Sequence, residues 1–105
     1  MIGNINHIAI VVPDLDVAAA HWRDALGAEV SQAQTLPEHG VRIVFVRSAN
    51  GQVELMEPFG EGSPIAEFLE RNPDGGMHHV CYEVANIDQA RAKLEAKGAR
   101  VLGDG

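Results

Sequence analysis

An internal repeat constrains the fold of this chain more than any other feature of its 105 residues. When the sequence is shifted by 72 positions, His7 aligns with His79. A shift one residue shorter aligns Gly27 with Gly98. Because a strand histidine, polar helix caps and a glycine stop recur together, we interpret the chain as two copies of one folding unit.

Each copy is predicted to begin with a strand and to continue into a helix. In the stretch HIAIVV at residues 7–12, alternate side chains point to opposite faces. Asp14 and Asn86 are residue types that cap helix N-termini, and Gly27 and Gly98 fit left-handed helix ends. The apolar helix faces are expected to contain Leu15, Ala18, Ala19, Trp22 and Leu26 in the first copy and Ile87, Ala90 and Leu94 in the second.

Three further strands are expected after the first helix, at residues 29–35, 41–47 and 52–57. The dipeptide Asn50-Gly51 is a strong signal for a hairpin turn between the last two of them. The first copy is therefore predicted to be a βαβββ unit.

The segment that joins the two copies is predicted to hold a short helix. Ser63 followed by Pro64 favours an N-cap and a first helical residue, and NPDGG at residues 72–76 favours the end of that helix. The second copy then has its strand, its helix and the start of a strand at 99–102. By the repeat, two further strands would follow, so we expect the second copy to be incomplete within this sequence.

The predicted fold is α+β, with one domain over residues 1–105. This domain is expected to contain a first βαβββ module at 1–58, a linker helix at 59–76 and a partial second module at 77–105. An unfinished second copy would leave a strand edge and apolar surface uncovered, which favours a homodimer.

Composition excludes several functional classes. The net charge of -7, without a basic stripe, argues against nucleic-acid binding. No apolar run is long enough to span a membrane, and the N-terminus lacks the features of a signal peptide. The single cysteine, Cys81, permits no internal disulfide and is expected to be a small buried residue. A cytoplasmic setting is therefore expected.

The repeat also predicts a metal site. Two βαβββ copies usually form one curved sheet, so His7 and His79 should converge on its concave face. Glu54 lies on the fourth predicted strand and shares a face with Met56, where a carboxylate is costly unless it is paired or bound to metal. The repeat mate of Glu54 would fall beyond this sequence. With it, His7, Glu54 and His79 would form a mixed nitrogen and oxygen donor set of two histidines and two carboxylates, typical of zinc, cobalt, nickel or manganese.

The other histidines receive less support as ligands. A lone strand histidine is more often structural than ligating, and only His7 and His79 are paired by the repeat. His78 has the opposite strand parity, so we expect it to point toward the helix side or the rim, where it could hydrogen-bond or pack. His21 is expected at the edge of a helix, and His39 in a loop.

The segments NHIAIVVPDLDVAAAHWRDALGAEV, PEHGVRIVFV and KGARVLG, together with SPIAEFL…N…GGMHH, resemble the methylmalonyl-CoA epimerases. These enzymes belong to the vicinal oxygen chelate superfamily, which includes glyoxalase I. The resemblance covers essentially the whole chain, and its most specific part is the SPIAEFL…N…GGMHH segment.

The resemblance implies the glyoxalase fold and a metal held by a first-strand histidine, a fourth-strand Gln or Glu, a fifth-strand histidine and an eighth-strand glutamate. The first three correspond to His7, Glu54 and His79, and the fourth lies beyond this sequence. Some family members place a glutamate base on the third strand. Ile43, or a neighbour, occupies that position here, so the resemblance assigns no catalytic residue.

The activity implied is epimerisation of methylmalonyl-CoA, an acyl-CoA substrate of propionate metabolism, by metal-assisted proton abstraction through an enolate. The divalent metal is expected to be Co2+, with Zn2+, Mn2+ or Ni2+ as alternatives. Two other functions stay open: a glyoxalase I-like lactoylglutathione lyase and a non-catalytic binding protein of the same superfamily.

Overall fold

The computed structural model describes residues 1–102. Its strands are β1 (Ile2–Val11), β2 (Glu29–Val30), β3 (Gln34–Leu36), β4 (Val41–Ser48), β5 (Gly51–Pro58) and β6 (Gly76–Val84). Its helices are α1 (Leu15–Ala20), α2 (Ala66–Arg71) and α3 (Ile87–Ala96). A π-helical turn at His21–Ala25 continues α1, and a short 3-10 turn at Pro37–His39 precedes β4. The predicted α+β class is confirmed.

The strands form one mixed sheet in the order β2-β4-β5-β1-β6, with β3 also paired to β4. The pair β1 and β5 is parallel, whereas β1 and β6 are antiparallel. The first strands of the two repeat copies are therefore direct neighbours. This pairing places the repeat-related histidines side by side in space.

The two faces of the sheet carry separate apolar clusters. On one face, Leu55 and Val44 pack with Leu15 and Ala19 of α1. The opposite face, here called the site face, is covered in part by α2 and the residue before it. Its buried members are Ala9, Val11, Val41, Ile43, Met56 and Ile65. The alternation predicted for β1 is confirmed, because Ile10 and Val12 pack on the α1 side.

Both predicted helix caps are present. The side chain of Asp14 accepts a hydrogen bond from the backbone N–H of Val17 at 3.1 Å, and Asn86 accepts one from Gln89 at 2.9 Å. The glycine stop is confirmed too, since Gly98 after α3 has a φ of 92°. The repeat therefore predicted the helix caps and the glycine stop correctly.

Two strand predictions were wrong. The predicted strand at 29–35 is split into β2 and β3, both of which pair with β4. Between β2 and β3, the Ser31 hydroxyl accepts a hydrogen bond from the backbone N–H of Phe45 at 2.8 Å. A side chain there replaces a backbone acceptor in the pairing with β4. Residues 99–102 form no strand. Residues 103–105 of the predicted second module lie outside the described part of the chain.

The prediction for the linker helix needs a correction. The helix begins at Ala66, and Ser63 does not cap it with its side chain. The buried Ser63 hydroxyl instead donates to the carbonyl oxygen of Gly40 at 2.6 Å. This bond connects the linker to the turn before β4, and it pairs a hydroxyl that would be costly to bury without a partner.

The predicted apolar helix faces are only partly buried. Leu26 is 61% exposed, because it follows the π-helical turn and no longer faces the sheet. In α3 only Ala90 is buried, whereas Ile87 and Leu94 are exposed. Within residues 1–102, no helix has the length and apolar character needed to cross a membrane.

Candidate metal centre

Strand register brings the three predicted ligands to one place. Ala9 on β1 lies opposite Glu54 on β5 and opposite His79 on β6. His7 is two residues before Ala9 and therefore shares its face. The buried alanine has almost no side chain, so it leaves room above it for the three polar groups.

The ligand atoms of the cluster are close together. One atom each from His7, Glu54 and His79 lie within 4.8 Å of one another. The two histidine Nε2 atoms are 3.4 Å apart, and the rings meet edge to face with centroids separated by 5.4 Å. Two donors that bind one ion at about 2.1 Å in tetrahedral geometry lie about 3.4 Å from each other. The donor set therefore fits a divalent transition-metal ion.

The electrostatics at His79 favour a neutral imidazole ring. Desolvation lowers the pKa of His79 below its usual value, and the neighbouring His78 and His7 lower it further. The Glu54 carboxylate acts in the opposite direction. A neutral ring offers a lone pair to a metal, so the lowered pKa of His79 favours ligation by this residue.

A cavity of about 390 Å3 opens beside Glu54 on the site face. Its walls are largely apolar and include Ile43 and Met56, while His39 and His78 contribute imidazole rings. The cavity joins a carboxylate of the candidate metal cluster to an apolar surface. Such a site suits a small ligand with both a polar head and an alkyl group.

The predicted direction of His78 was wrong. Its ring lies in the wall of this cavity and contacts His79, with the two Nδ1 atoms 2.8 Å apart. The cause is a β-bulge: successive residues Ala9 and Ile10 of β1 pair with His79 and Met77, so His78 is an extra residue. A bulge breaks the simple alternation of strand side chains. The alternative that His78 hydrogen-bonds nearby agrees with the structure.

Sequence reasoning missed Asn6. Its Oδ1 lies 2.9 Å from Nδ1 of His7, and its Nδ2 donates to Glu83 at 3.1 Å. The repeat offered a signal for it, because the same shift that aligns the site histidines places Asn6 over His78. Among the remaining histidines, His21 is exposed on the π-helical turn, away from the cluster.

A family model, the Glyoxalase/Bleomycin resistance protein/Dioxygenase superfamily, matches residues 6–105. A curated relative from Cereibacter sphaeroides, an ethylmalonyl-CoA/methylmalonyl-CoA epimerase, is 58% identical over the whole chain, which spans 78% of that protein. The human mitochondrial methylmalonyl-CoA epimerase is 52% identical over 98% of the chain. The chain spans only 58% of the length of the human protein.

Solved structures agree with these relatives. A variant of the Streptomyces coelicolor methylmalonyl-CoA epimerase, in complex with 2-nitronate-propionyl-CoA, superimposes with a TM-score of 0.85 at 32% identity. The match covers 99% of this chain and 78% of that one. Another, the Mycobacterium tuberculosis methylmalonyl-CoA epimerase, gives a TM-score of 0.86 at 28% identity, covering 98% of this chain and 69% of that one.

Proposed function

We propose that this chain, which belongs to the Glyoxalase/Bleomycin resistance protein/Dioxygenase superfamily, is an epimerase that interconverts the two epimers of methylmalonyl-CoA. The observation that carries the proposal is the convergence of two imidazoles and a carboxylate beside an apolar cavity. The names of the relatives support the same substrate class, an acyl-CoA with a second carboxyl group.

The reaction inverts the carbon between a thioester and a carboxylate. Removal of its proton gives an enolate, and return of a proton to the opposite face gives the other epimer. A divalent ion held by His7, Glu54 and His79 would supply Lewis-acid stabilisation of the negative charge that develops on the substrate oxygens. Co2+ is our first choice of ion, with Zn2+, Mn2+ and Ni2+ as alternatives, because all four accept mixed nitrogen and oxygen ligands.

The cavity beside the cluster would hold the part of the substrate next to the reacting carbon, including its alkyl substituent. Ile43 and Met56 present apolar surface to the alkyl substituent, while the polar end of the substrate lies toward Glu54. Some family members have a glutamate base on the third strand. Ile43 at that position cannot accept a proton, so another group must act as the base in this chain.

The direct test follows exchange of the substrate's C2 proton with D2O by mass spectrometry. After treatment with EDTA, activity should be lost, and it should return with Co2+. Replacing His7, Glu54 or His79 by Ala should abolish both metal binding and exchange. The matched control is His21→Ala, which removes an exposed histidine outside the cluster. Full exchange in the His79→Ala variant would refute the proposal.

Two alternative functions give different outcomes. A glyoxalase I-like lyase would convert the hemithioacetal of glutathione and methylglyoxal, which an epimerase should leave unchanged. A non-catalytic binding protein would bind metal or ligand but exchange no proton. Because the 58% identical relative is also named for ethylmalonyl-CoA, the assay should compare both acyl-CoA substrates. The apolar cavity leads us to expect turnover of each.

We also propose that the protein acts as a homodimer. The strand β6 lies at an end of the sheet, and its Val80 and Tyr82 side chains are exposed. An exposed apolar edge strand favours association with a second copy. Sedimentation at micromolar concentration should give the mass of a dimer, and a monomer at that concentration would contradict this proposal.

A cytoplasmic location stays a prediction.

A further inference from the structure

We propose that Asn6 and His78 are positioning residues, which hold His7 and His79 with their Nε2 atoms turned toward Glu54. The inference rests on the metal site of the proposed function and assigns a role to two residues outside the donor set. Each residue directly precedes a site histidine and contacts the Nδ1 atom of that histidine. The repeat aligns the two positions, although their residue types differ.

A β-bulge aims Asn6 at the site. Ile5 pairs with Tyr82, whereas His7 pairs with Cys81. The strand β1 therefore advances by two residues while β6 advances by one, and Asn6 is the extra residue. In a regular strand, Asn6 and its neighbour His7 would point to opposite faces. The bulge relaxes that constraint and lets the amide reach back to the imidazole.

The second bulge has the opposite arrangement. Here β6 carries the extra residue, His78, across from β1. The ring of Phe68 on α2 packs against the ring of His78, with centroids 5.2 Å apart and planes at 69°. This edge-to-face contact restrains the orientation of His78. Both copies of the repeat thus place a bulge immediately before the site histidine.

The hydrogen bond to Asn6 decides the tautomer of His7. An amide oxygen only accepts, so Nδ1 of His7 must carry the proton across the 2.9 Å contact. In a neutral ring the Nε2 atom is then free of a proton and offers its lone pair. The bond from Asn6 Nδ2 to Glu83 at 3.1 Å keeps the amide from turning over, because the flipped amide would place its oxygen against a carboxylate.

The contact with His78 fixes the tautomer of His79 in the same way. When His79 uses Nε2 as a ligand atom, its proton must stay on Nδ1, which lies 2.8 Å from Nδ1 of His78. His78 then accepts this proton's hydrogen bond and carries its own proton on Nε2. Hydrogen-bond partners of this kind fix the tautomer and the ring orientation of ligating histidines. Of the two adjacent histidines, His79 is therefore the ligand and His78 is its hydrogen-bond partner.

The test removes the acceptor at each position. In the variants Asn6→Leu and His78→Leu, affinity for Co2+, measured by competition with a chromophoric chelator, should fall about 10- to 100-fold. His78→Asn, which introduces the residue type found at the aligned position, keeps an acceptor and should restore most of the affinity. The matched controls Asn4→Leu and His21→Leu change exposed residues of the same types and should bind Co2+ as the unaltered chain does.

A second readout needs neither metal nor activity. Two-bond 1H–15N NMR spectra of the metal-free protein should show His7 protonated on Nδ1, and Asn6→Leu should shift this proton toward Nε2. A purely structural role would leave the tautomer unchanged. If His7 carries its proton on Nε2 in the unaltered chain, or if both leucine variants bind Co2+ normally, the proposal is overturned.

The two proposals fail in different ways. An unaltered chain that binds no divalent metal would refute the proposed metal site, while the tautomer of His7 would still decide the role of Asn6. If Asn6→Leu does not fold, as judged by circular dichroism, the unaltered chain's tautomer and the comparison of His78→Leu with His78→Asn decide instead. Equal affinities in those two variants would overturn the role of His78.

Discussion

Replacing Gly75 by alanine should damage both stability and the metal centre. Gly75 has a φ of 84°, and a Cβ built on it would collide with the backbone carbonyl oxygen of Val11. The left-handed backbone costs an L-residue about 1–2 kcal/mol, and overpacking against a buried strand adds about 1–3 kcal/mol. Gly75→Ala should therefore lose about 2–5 kcal/mol of unfolding free energy, measured by urea denaturation.

Gly27→Ala is the matched control. Gly27 also has a positive φ, of 66°, but nothing lies within 4 Å of a Cβ at that position. The Gly27→Ala variant should lose only the part of the unfolding free energy that comes from the left-handed backbone, about 1–2 kcal/mol. Because Gly75 precedes β6, its variant should also displace His79 and weaken Co2+ binding, whereas the Gly27 variant should bind normally. Equal losses of stability in the two variants would refute the collision argument.

Three further predictions concern the core, the linker and the pH response. Leu55→Ala removes a fully buried side chain and should cost about 2–5 kcal/mol in urea denaturation. Ser63→Ala removes the 2.6 Å bond to Gly40 and should cost about 1 kcal/mol by the same measurement. Desolvation first, and then the adjacent histidines His78 and His7, lower the pKa of His79. Since the unfolded chain then binds the proton more tightly, stability should decrease as the pH falls below about 6.5, and His79→Gln should reduce that decrease. An unaltered urea midpoint between about pH 7.5 and about pH 5 would contradict the last prediction.

The local elements and the candidate ligands could be predicted from the sequence because their signals are local or repeated. Asp14 and Asn86 cap helices with bonds to residues three positions away, so nearby residue types are enough to identify them. His7 and His79 were singled out because a repeat places equivalent residues in equivalent positions. Their roles as ligands stay proposals, although the structure places them together.

Tertiary structure alone decided the details that strand pairing and packing control. Leu26 and Ile87 have helical periodicity, yet whether they are buried depends on which surface lies against them. Ser63 is a suitable capping residue, but the chain brings it beside Gly40, where a buried hydrogen bond is available. Periodicity describes one element and contains no information about its neighbour.

The two bulges are the clearest case of a feature that the sequence did not specify. The regular alternation of strand side chains predicted that His78 would point away from the site. A bulge depends on how β1 and β6 pair over their whole length, and one unpaired residue changes the direction of its side chain. The sequence therefore identified the histidines, whereas the pairing of the strands decided which atoms of those histidines face one another.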